Sequence, residues 1–153
     1  MKETKRITSL FEKLYEGSPW IDVNLSGALL EITAKQASTR VFDKYNSIWE
    51  IVNHLISWRL NVLKRVQGKF IKTPDNNYFE NVIDNSDAAW KKTLQKLDGS
   101  QKQWLQFLDS FKSDNFSKIY PNNQMNYYEH IHGILQHDAY HLGQITLLIK
   151  YLN

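Results

Sequence analysis

Cysteine is absent from the 153-residue chain. A disulfide-stabilised scaffold and a zinc site with cysteine ligands are therefore excluded, and any metal ion would have to be held by histidine or carboxylate side chains. Glycine and proline are also scarce, at 6 and 3 residues. Since glycine and proline mark turns, this scarcity favours long regular segments over a β protein with many turns.

Charge and long apolar runs are limited as well. The net charge is only +3, and no stripe of Lys or Arg could follow a phosphate backbone, so we expect no nucleic-acid partner. No run of about 18 apolar residues could span a bilayer, and the N-terminal residues lack the apolar core of a signal peptide. We therefore expect a soluble, cytoplasmic protein without a membrane partner, folded as a single domain over residues 1–153.

Helical periodicity dominates the sequence. Apolar residues recur every three or four positions and predict four long helices, over residues 3–15, 46–68, 78–111 and 124–151. A short helix is predicted over 25–32, between the first and second long helices. The heptad phase of the third helix is unchanged across Gly99, so we predict that this helix is continuous. The pattern as a whole predicts an all-α four-helix bundle.

Three of the five histidines lie where helix faces could bring them together. His137 and His141 are four residues apart and would be neighbours on one helix face. His54 lies at the edge of the apolar face of the predicted second helix. Such a pair is also compatible with ordinary half-buried or exposed histidines. With His54 as a third ligand, one coordination position would stay open for water or substrate, as in catalytic zinc sites.

The spacing excludes two familiar metal sites. No glutamate follows His137, so the helix is not that of a His-Glu-x-x-His metalloprotease, and no paired Glu-x-x-His motifs indicate a di-iron bundle. Asp138 points about 100° away from His137, and we interpret it as a solvated or interhelical carboxylate. His130 is too far along the helix to share a metal ion with His137, and we place it at the mouth of a pocket. By position alone, Glu50, His130 and Tyr140 are candidates for a general base.

Three segments of the chain resemble the DinB-like four-helix bundles, and among them the group of the YfiT bacillithiol transferase. They are Glu-Gly-Ser-Pro-Trp at 16–20, Ser-Ile-Trp-Glu leading to His-Leu-Ile-Ser-Trp at 47–58, and Gln-His-Asp-Ala-Tyr-His-Leu-Gly-Gln-Ile at 136–145. The resemblance implies that His54, His137 and His141 bind a divalent ion such as nickel, zinc or manganese. Four further residues match the family, namely Trp49, Trp58, Gly143 and Gln144. We interpret the two tryptophans as packing the bundle and Gly143 as allowing a close approach of two helices.

The resemblance also implies a small-molecule substrate, a homodimer and two alternative chemistries. In a thiol S-transferase, the metal would deprotonate a low-molecular-weight thiol such as bacillithiol, which would attack an electrophile. In a hydrolase, the metal would instead lower the pKa of a bound water. A metal-binding or stress-related bundle without catalysis remains the third alternative, because the three ligands are the same in each case.

Overall fold

The computed structural model describes residues 2–153. Its six α-helices confirm the all-α class: α1 (Glu3–Tyr15), α2 (Leu25–Leu29), α3 (Ala34–Ser38), α4 (Ile48–Val66), α5 (Asp87–Ser110) and α6 (Tyr127–Leu152). A 3₁₀ turn, Ser113–Asn115, follows α5. Over residues 2–153 there is no strand, only one isolated antiparallel bridge between Ile119 and Asn126. None of these helices is both long and apolar enough to cross a membrane.

The four long helices form the predicted four-helix bundle. Helix α4 is central because it packs against both α5 and α6, and α1 packs mainly against α5. Towards one end of the bundle the core is aromatic, with the Phe11 and Trp104 rings stacked at a centroid distance of 4.9 Å. The other part of the core contains Ile51 and Leu55 of α4 and Leu142 of α6. The α4–α6 contact in this second part carries the histidines.

Side-chain caps define where the helices begin. The Ser47 hydroxyl accepts from the Glu50 backbone N–H, and the Glu50 carboxylate accepts from the Ser47 N–H, so α4 begins with a capping box. The predicted start at residue 46 is therefore two residues before the observed start of α4 at Ile48. Asn126 and Glu129 form the same reciprocal pair at the start of α6.

The predicted start of the third long helix is wrong by nine residues. Helix α5 begins at Asp87, after its N-cap Ser86, and not at residue 78. Residues 78–86 form an irregular connection. The apolar Ile83, whose place in the heptad pattern favoured a helix there, is 97% exposed. Beyond that point the prediction is confirmed, since α5 continues without interruption through Gly99.

The connection between α1 and α4 contains two short helices where one was predicted. Helix α2 ends at Leu29, earlier than expected, and α3 begins after a capping box formed by Thr33 and Gln36. Between them, the Ile32 carbonyl accepts a 2.7 Å hydrogen bond from the indole N–H of Trp90 on α5. The connection is thus fixed to the bundle rather than loose on its surface.

Candidate metal centre

The structure brings His54, His137 and His141 together between α4 and α6. One ring nitrogen from each lies within 4.8 Å of the other two. His54 and His141 are buried, with 2% and 6% of their surface exposed, and His137 is half-buried. The Nε2 atoms of His54 and His137 are 3.0 Å apart. Among the described residues, these three histidines are the group of His, Asp or Glu side chains placed closely enough to hold a metal ion.

Hydrogen bonds fix the tautomers of two of these histidines. His54 donates from Nδ1 to the Asn77 backbone carbonyl at 2.7 Å, and His141 donates from Nδ1 to the Gln144 side-chain carbonyl at 2.7 Å. Since both acceptors are carbonyl oxygens, Nδ1 must carry the proton in each ring. The Nε2 lone pair is therefore left free, which is the arrangement of a metal-ligating histidine with its outer hydrogen bond.

The contact between His54 and His137 also fits a cation. With no proton on His54 Nε2, the two nitrogens attract only through a proton on His137 Nε2 or a positive ion between them. His137 Nδ1 is buried without a hydrogen-bond partner, and its nearest carboxylate oxygen, Asp138 Oδ1, lies 3.9 Å away. Three imidazoles converging in this way form a donor set that suits a divalent transition metal.

Burial keeps the ligands in the form that binds metal. The pKa of His54 is lowered to about 4, mainly by burial and to a smaller extent by the neighbouring His141 and His137, while the Asn77 hydrogen bond opposes the shift. Burial likewise lowers the pKa of His141. At neutral pH both rings are uncharged, so no proton has to be displaced from them when a metal ion binds.

The connection after α4 positions His54. The Phe79 ring stacks on the imidazole at 3.9 Å with an interplanar angle of 8°. Asn77 and Tyr78 adopt left-handed backbone conformations, with φ of 53° and 62°, which turn the Asn77 carbonyl towards His54. The indole N–H of Trp58 anchors the turn through a 2.9 Å bond to the Asn77 side chain. The segment that sequence periodicity assigned to a helix is therefore part of the site.

Gln144 links His141 to Tyr140. Its carbonyl accepts from His141, and its amide group donates to the Tyr140 hydroxyl oxygen at 3.1 Å. Because the Tyr140 oxygen accepts this bond, its own O–H remains available to a ligand. Gln144, one of the residues by which the sequence resembles the family, thus contacts a candidate metal ligand.

A cavity of about 780 Å³ opens beside the three histidines. Aromatic and aliphatic side chains make up about half of its lining, and no carboxylate of the described residues takes part in it. The lining residues are Phe42, Lys44, Tyr45, Asn46, Ile51, His54, Asn77, Phe79, His137, Tyr140, His141, Gln144, Leu147, Leu148 and Tyr151. The histidines lie at this wall, so a small molecule in the cavity would meet an ion held by them.

Of the three general-base candidates, only Tyr140 lines the cavity. Glu50 is used structurally, since its carboxylate caps α4 and pairs with Arg40 at 2.6 Å. His130 contacts Asn123 and Tyr120 instead of lining this cavity, so its predicted place at the pocket mouth is wrong.

A buried ion pair lies directly behind the site, and the sequence analysis had identified only one of its two residues, Asp138. Of the two roles predicted for Asp138, the structure shows the interhelical carboxylate, because its Oδ2 accepts from Arg59 Nη1 of α4 at 2.5 Å. Arg59 also donates to Ser100 at 3.0 Å and to Gln101, both on α5. Gln101 was visible in the sequence as a polar interruption of an apolar seam, which was the available signal for a buried polar partner.

The other family-matched residues divide between packing and the site. Trp49 packs the bundle as predicted, buried with its N–H donating to Thr93 at 2.9 Å. Trp58 is only half-buried and its ring lies 6.0 Å from that of His137, beside the centre. The expectation of a close helix approach at Gly143 is wrong, because a Cβ built there would meet no atom within 4 Å.

Comparison with known protein families agrees with this geometry. The family model of the DinB superfamily matches residues 23–145, which include all three histidines, the turn at Asn77 and the Arg59–Asp138 pair. Comparison with curated proteins and with solved structures gives no significant match. The family match covers most of the sequence and most of the bundle, and the chain belongs to the DinB superfamily.

Proposed function

We propose that this protein is a metal-dependent thiol S-transferase, in which His54, His137 and His141 hold one divalent ion. The observation that supports the proposal most directly is the convergence of three histidine ring nitrogens, all within 4.8 Å of one another, at the wall of an accessible apolar cavity. A metal that only tied two helices together would need no cavity beside it.

The donor set favours particular ions. Three imidazole ligands suit nickel or zinc, whereas manganese prefers carboxylate and carbonyl oxygens. No carboxylate of residues 2–153 joins this histidine group. Nickel or zinc is therefore the ion we propose, ahead of manganese. When bound, such an ion would lower the pKa of a coordinated thiol enough to make it a nucleophile at neutral pH.

The protein's own side chains would orient the reactants and exclude water. Ile51, Leu147 and Leu148 give the cavity apolar surface, while the Tyr140 hydroxyl is free to donate a hydrogen bond to a developing negative charge. In the transfer, the sulfur forms a bond to an electrophilic carbon with its own electron pair. The leaving group departs with the pair of the broken bond, and the thiol proton passes to solvent or to the leaving group.

The absence of a carboxylate from the described cavity lining favours the transferase over a hydrolase. Activation of water for attack commonly relies on a general base within hydrogen-bond reach, usually His, Glu or Asp. Here the carboxylate candidate, Glu50, is tied to Arg40 and Ser47, and the histidines of the cavity are the proposed ligands. A thiol has a much lower pKa than water and can be deprotonated by coordination alone.

The decisive experiment is a turnover assay with nickel- or zinc-loaded protein, a generic aromatic electrophile and a low-molecular-weight thiol. We expect consumption of the electrophile that requires both thiol and metal, with a thioether as product. His141→Ala should abolish it, whereas His132→Ala, which removes a histidine outside the group, should retain it. A hydroxylated product formed without thiol would identify a hydrolase. No turnover by fully loaded protein would indicate a metal-binding bundle without catalysis.

We also propose that the protein forms a homodimer and acts on a small molecule. The exposed side chains of Trp20 and Leu30, at 96% and 79%, supply apolar surface that a second copy could cover. Analytical ultracentrifugation should give twice the 18.1 kDa chain mass; a monomer at micromolar concentration would contradict the dimer.

A further inference from the structure

Five aromatic side chains surround the cavity beside the histidines. They come from the connection before α4, from the connection after α4 and from α6, and are Phe42, Tyr45, Phe79, Tyr140 and Tyr151. Because these segments are separate in sequence, the five rings come to line one cavity only in the folded protein. An aromatic stripe on one helix would instead indicate ordinary core packing.

Much of this aromatic surface is uncovered. Tyr45, Tyr140 and Tyr151 are 66%, 65% and 60% exposed. Phe42 meets Tyr45 and Tyr151 edge-on, at centroid distances of 5.8 and 5.1 Å, so the three rings form a supported cluster rather than isolated side chains. A flat ligand that covered these rings would remove apolar area from water and gain ring–ring contacts of about 0.5–1.5 kcal/mol each.

The charge of the cavity has one sign. Lys44 is the only Lys, Arg, Asp or Glu in its lining, and over residues 2–153 its ammonium takes part in no salt bridge. The lining is therefore positive before any metal ion is bound and more positive afterwards, which favours an anion and disfavours a cation.

We propose that the cavity binds a small aromatic molecule that carries one negative charge, and that this is the chemical class of the electrophilic substrate. The aromatic body would lie among the rings of Phe42, Tyr45 and Tyr151, and the anionic group would pair with Lys44. A volume of about 780 Å³ is in the range of pockets that enclose a drug-sized ligand. The assignment as substrate rests on the proposed S-transferase function; the ligand class itself rests on the cavity.

Binding is tested by calorimetry at low salt with three probes. They are 1-naphthoate (aromatic, anionic), 1-naphthylmethylammonium (aromatic, cationic) and cyclohexanecarboxylate (anionic, not aromatic). With metal-free wild-type protein we expect 1-naphthoate to bind at least about tenfold more tightly than either of the others, since both the ring contacts and the charge contribute. Because no metal or thiol is present, this outcome is independent of catalysis.

Matched variants separate the two contributions. Lys44→Met should weaken 1-naphthoate binding by about three- to tenfold, as expected for one partly exposed ion pair, and Tyr151→Ser should weaken both aromatic probes. Lys91→Met and Phe70→Ser, which remove an exposed cation and a 69% exposed ring outside the cavity, should leave the affinities unchanged.

Equal affinity for the three probes, or no detectable binding of 1-naphthoate, would overturn the proposed ligand class. Retained selectivity for 1-naphthoate in a protein that shows no thiol transfer would overturn the proposed function and leave the ligand class intact. The two proposals can therefore fail separately.

Discussion

Asp138 and Arg59 form an ion pair that is almost completely shielded from water, with 1% and 3% of their side chains exposed and 2.5 Å between Oδ2 and Nη1. The pair joins α6 to α4 directly behind the candidate metal centre. Asp138 Oδ1 has no hydrogen-bond partner, and the ring nitrogen Nδ1 of the candidate ligand His137 lies 3.9 Å from it. The carboxylate thus adjoins both the bundle core and a ligand.

Removing the carboxylate should strongly destabilise the bundle. Asp138→Ala leaves the Arg59 charge buried and unpaired, for which we expect a loss of about 3–5 kcal/mol in the free energy of unfolding. Urea denaturation measures this loss. Asp98→Ala is the control, because the Asp98–Lys102 pair is exposed and should contribute at most about 1 kcal/mol. Similar losses in the two variants would contradict a special role for the buried pair.

The metal site itself predicts a stoichiometry. Elemental analysis should find about one divalent ion per chain in wild-type protein and almost none in His54→Ala or His141→Ala, since loss of one of three ligands cripples binding. His132→Ala should keep its metal because His132 lies outside the group. Stoichiometric metal in both ligand variants would show that the metal binds elsewhere. If wild-type protein held no metal even after reloading, the three histidines would have only a structural role.

Gln144 predicts an effect on metal affinity without loss of a ligand. Gln144→Leu removes the carbonyl that accepts from His141 at 2.7 Å, and we expect metal affinity to fall by about 10- to 100-fold. Chelator competition measures the affinity. Gln136→Leu changes an exposed glutamine of the same helix and should have no effect. An unchanged affinity in Gln144→Leu would show that the hydrogen bond does not orient the ligand.

The α4 capping box predicts a pH dependence of stability. Burial raises the pKa of Glu50, but hydrogen bonds from Arg40 and Ser47 outweigh it and hold the pKa below its ordinary value. A depressed pKa in the folded state means that the stabilisation is complete above the ordinary carboxyl pKa of about 4.3 and is lost as the pH falls through the folded-state value.

Denaturation of wild type and Glu50→Gln at several pH values tests this sign. The wild type should be more stable by about 1–3 kcal/mol at neutral pH, as expected for hydrogen bonds to a charged group, and the difference should shrink as the solution is acidified below about pH 4. A difference that grew on acidification would reverse the assigned sign.

Gly143 predicts a gain in stability. It lies inside α6 with no atom within 4 Å of a built Cβ, so Gly143→Ala should raise the free energy of unfolding by about 0.5–1 kcal/mol through helix propensity. Gly68→Ala provides the contrast: its φ of +83° disfavours any side chain, and that variant should be less stable. A loss of stability in Gly143→Ala would contradict the open space at this position and support a close helix approach.

Much of the architecture could be predicted because it depends on local periodicity. The predicted limits of α1 are those observed, Glu3–Tyr15, and α4 and α6 begin and end within a few residues of their predicted positions. The same periodicity placed His137 and His141 on one face and His54 at the edge of another. Two such faces meet in a bundle, so the grouping of the three histidines followed from the pattern.

The connection after α4 could not be predicted in the same way. Ile83 happened to extend a heptad series into residues that are not helical, although Ser86 followed by Asp87 was an available cap signal. Asn77 contacts His54 through its backbone carbonyl. Every residue has this group, so this contact leaves no trace in the sequence. Arg59 was missed for a related reason: its burial depends on partners on two other helices, Asp138 and Gln101.

The carbonyl that orients His54 belongs to a short connection, whereas the ligands themselves belong to helices. Connections with few buried contacts open locally at a much lower free energy than packed helices, and they do so without unfolding of the domain. Opening of the turn would release His54 Nδ1 and leave the ring free to rotate while α4 and α6 remain paired. We therefore expect the lifetime of a bound ion to depend on how often this turn opens. The backbone N–H groups of Asn77 and Phe79 donate to the carbonyls of Pro74 and Asn76, so amide hydrogen exchange at these two positions would measure the opening.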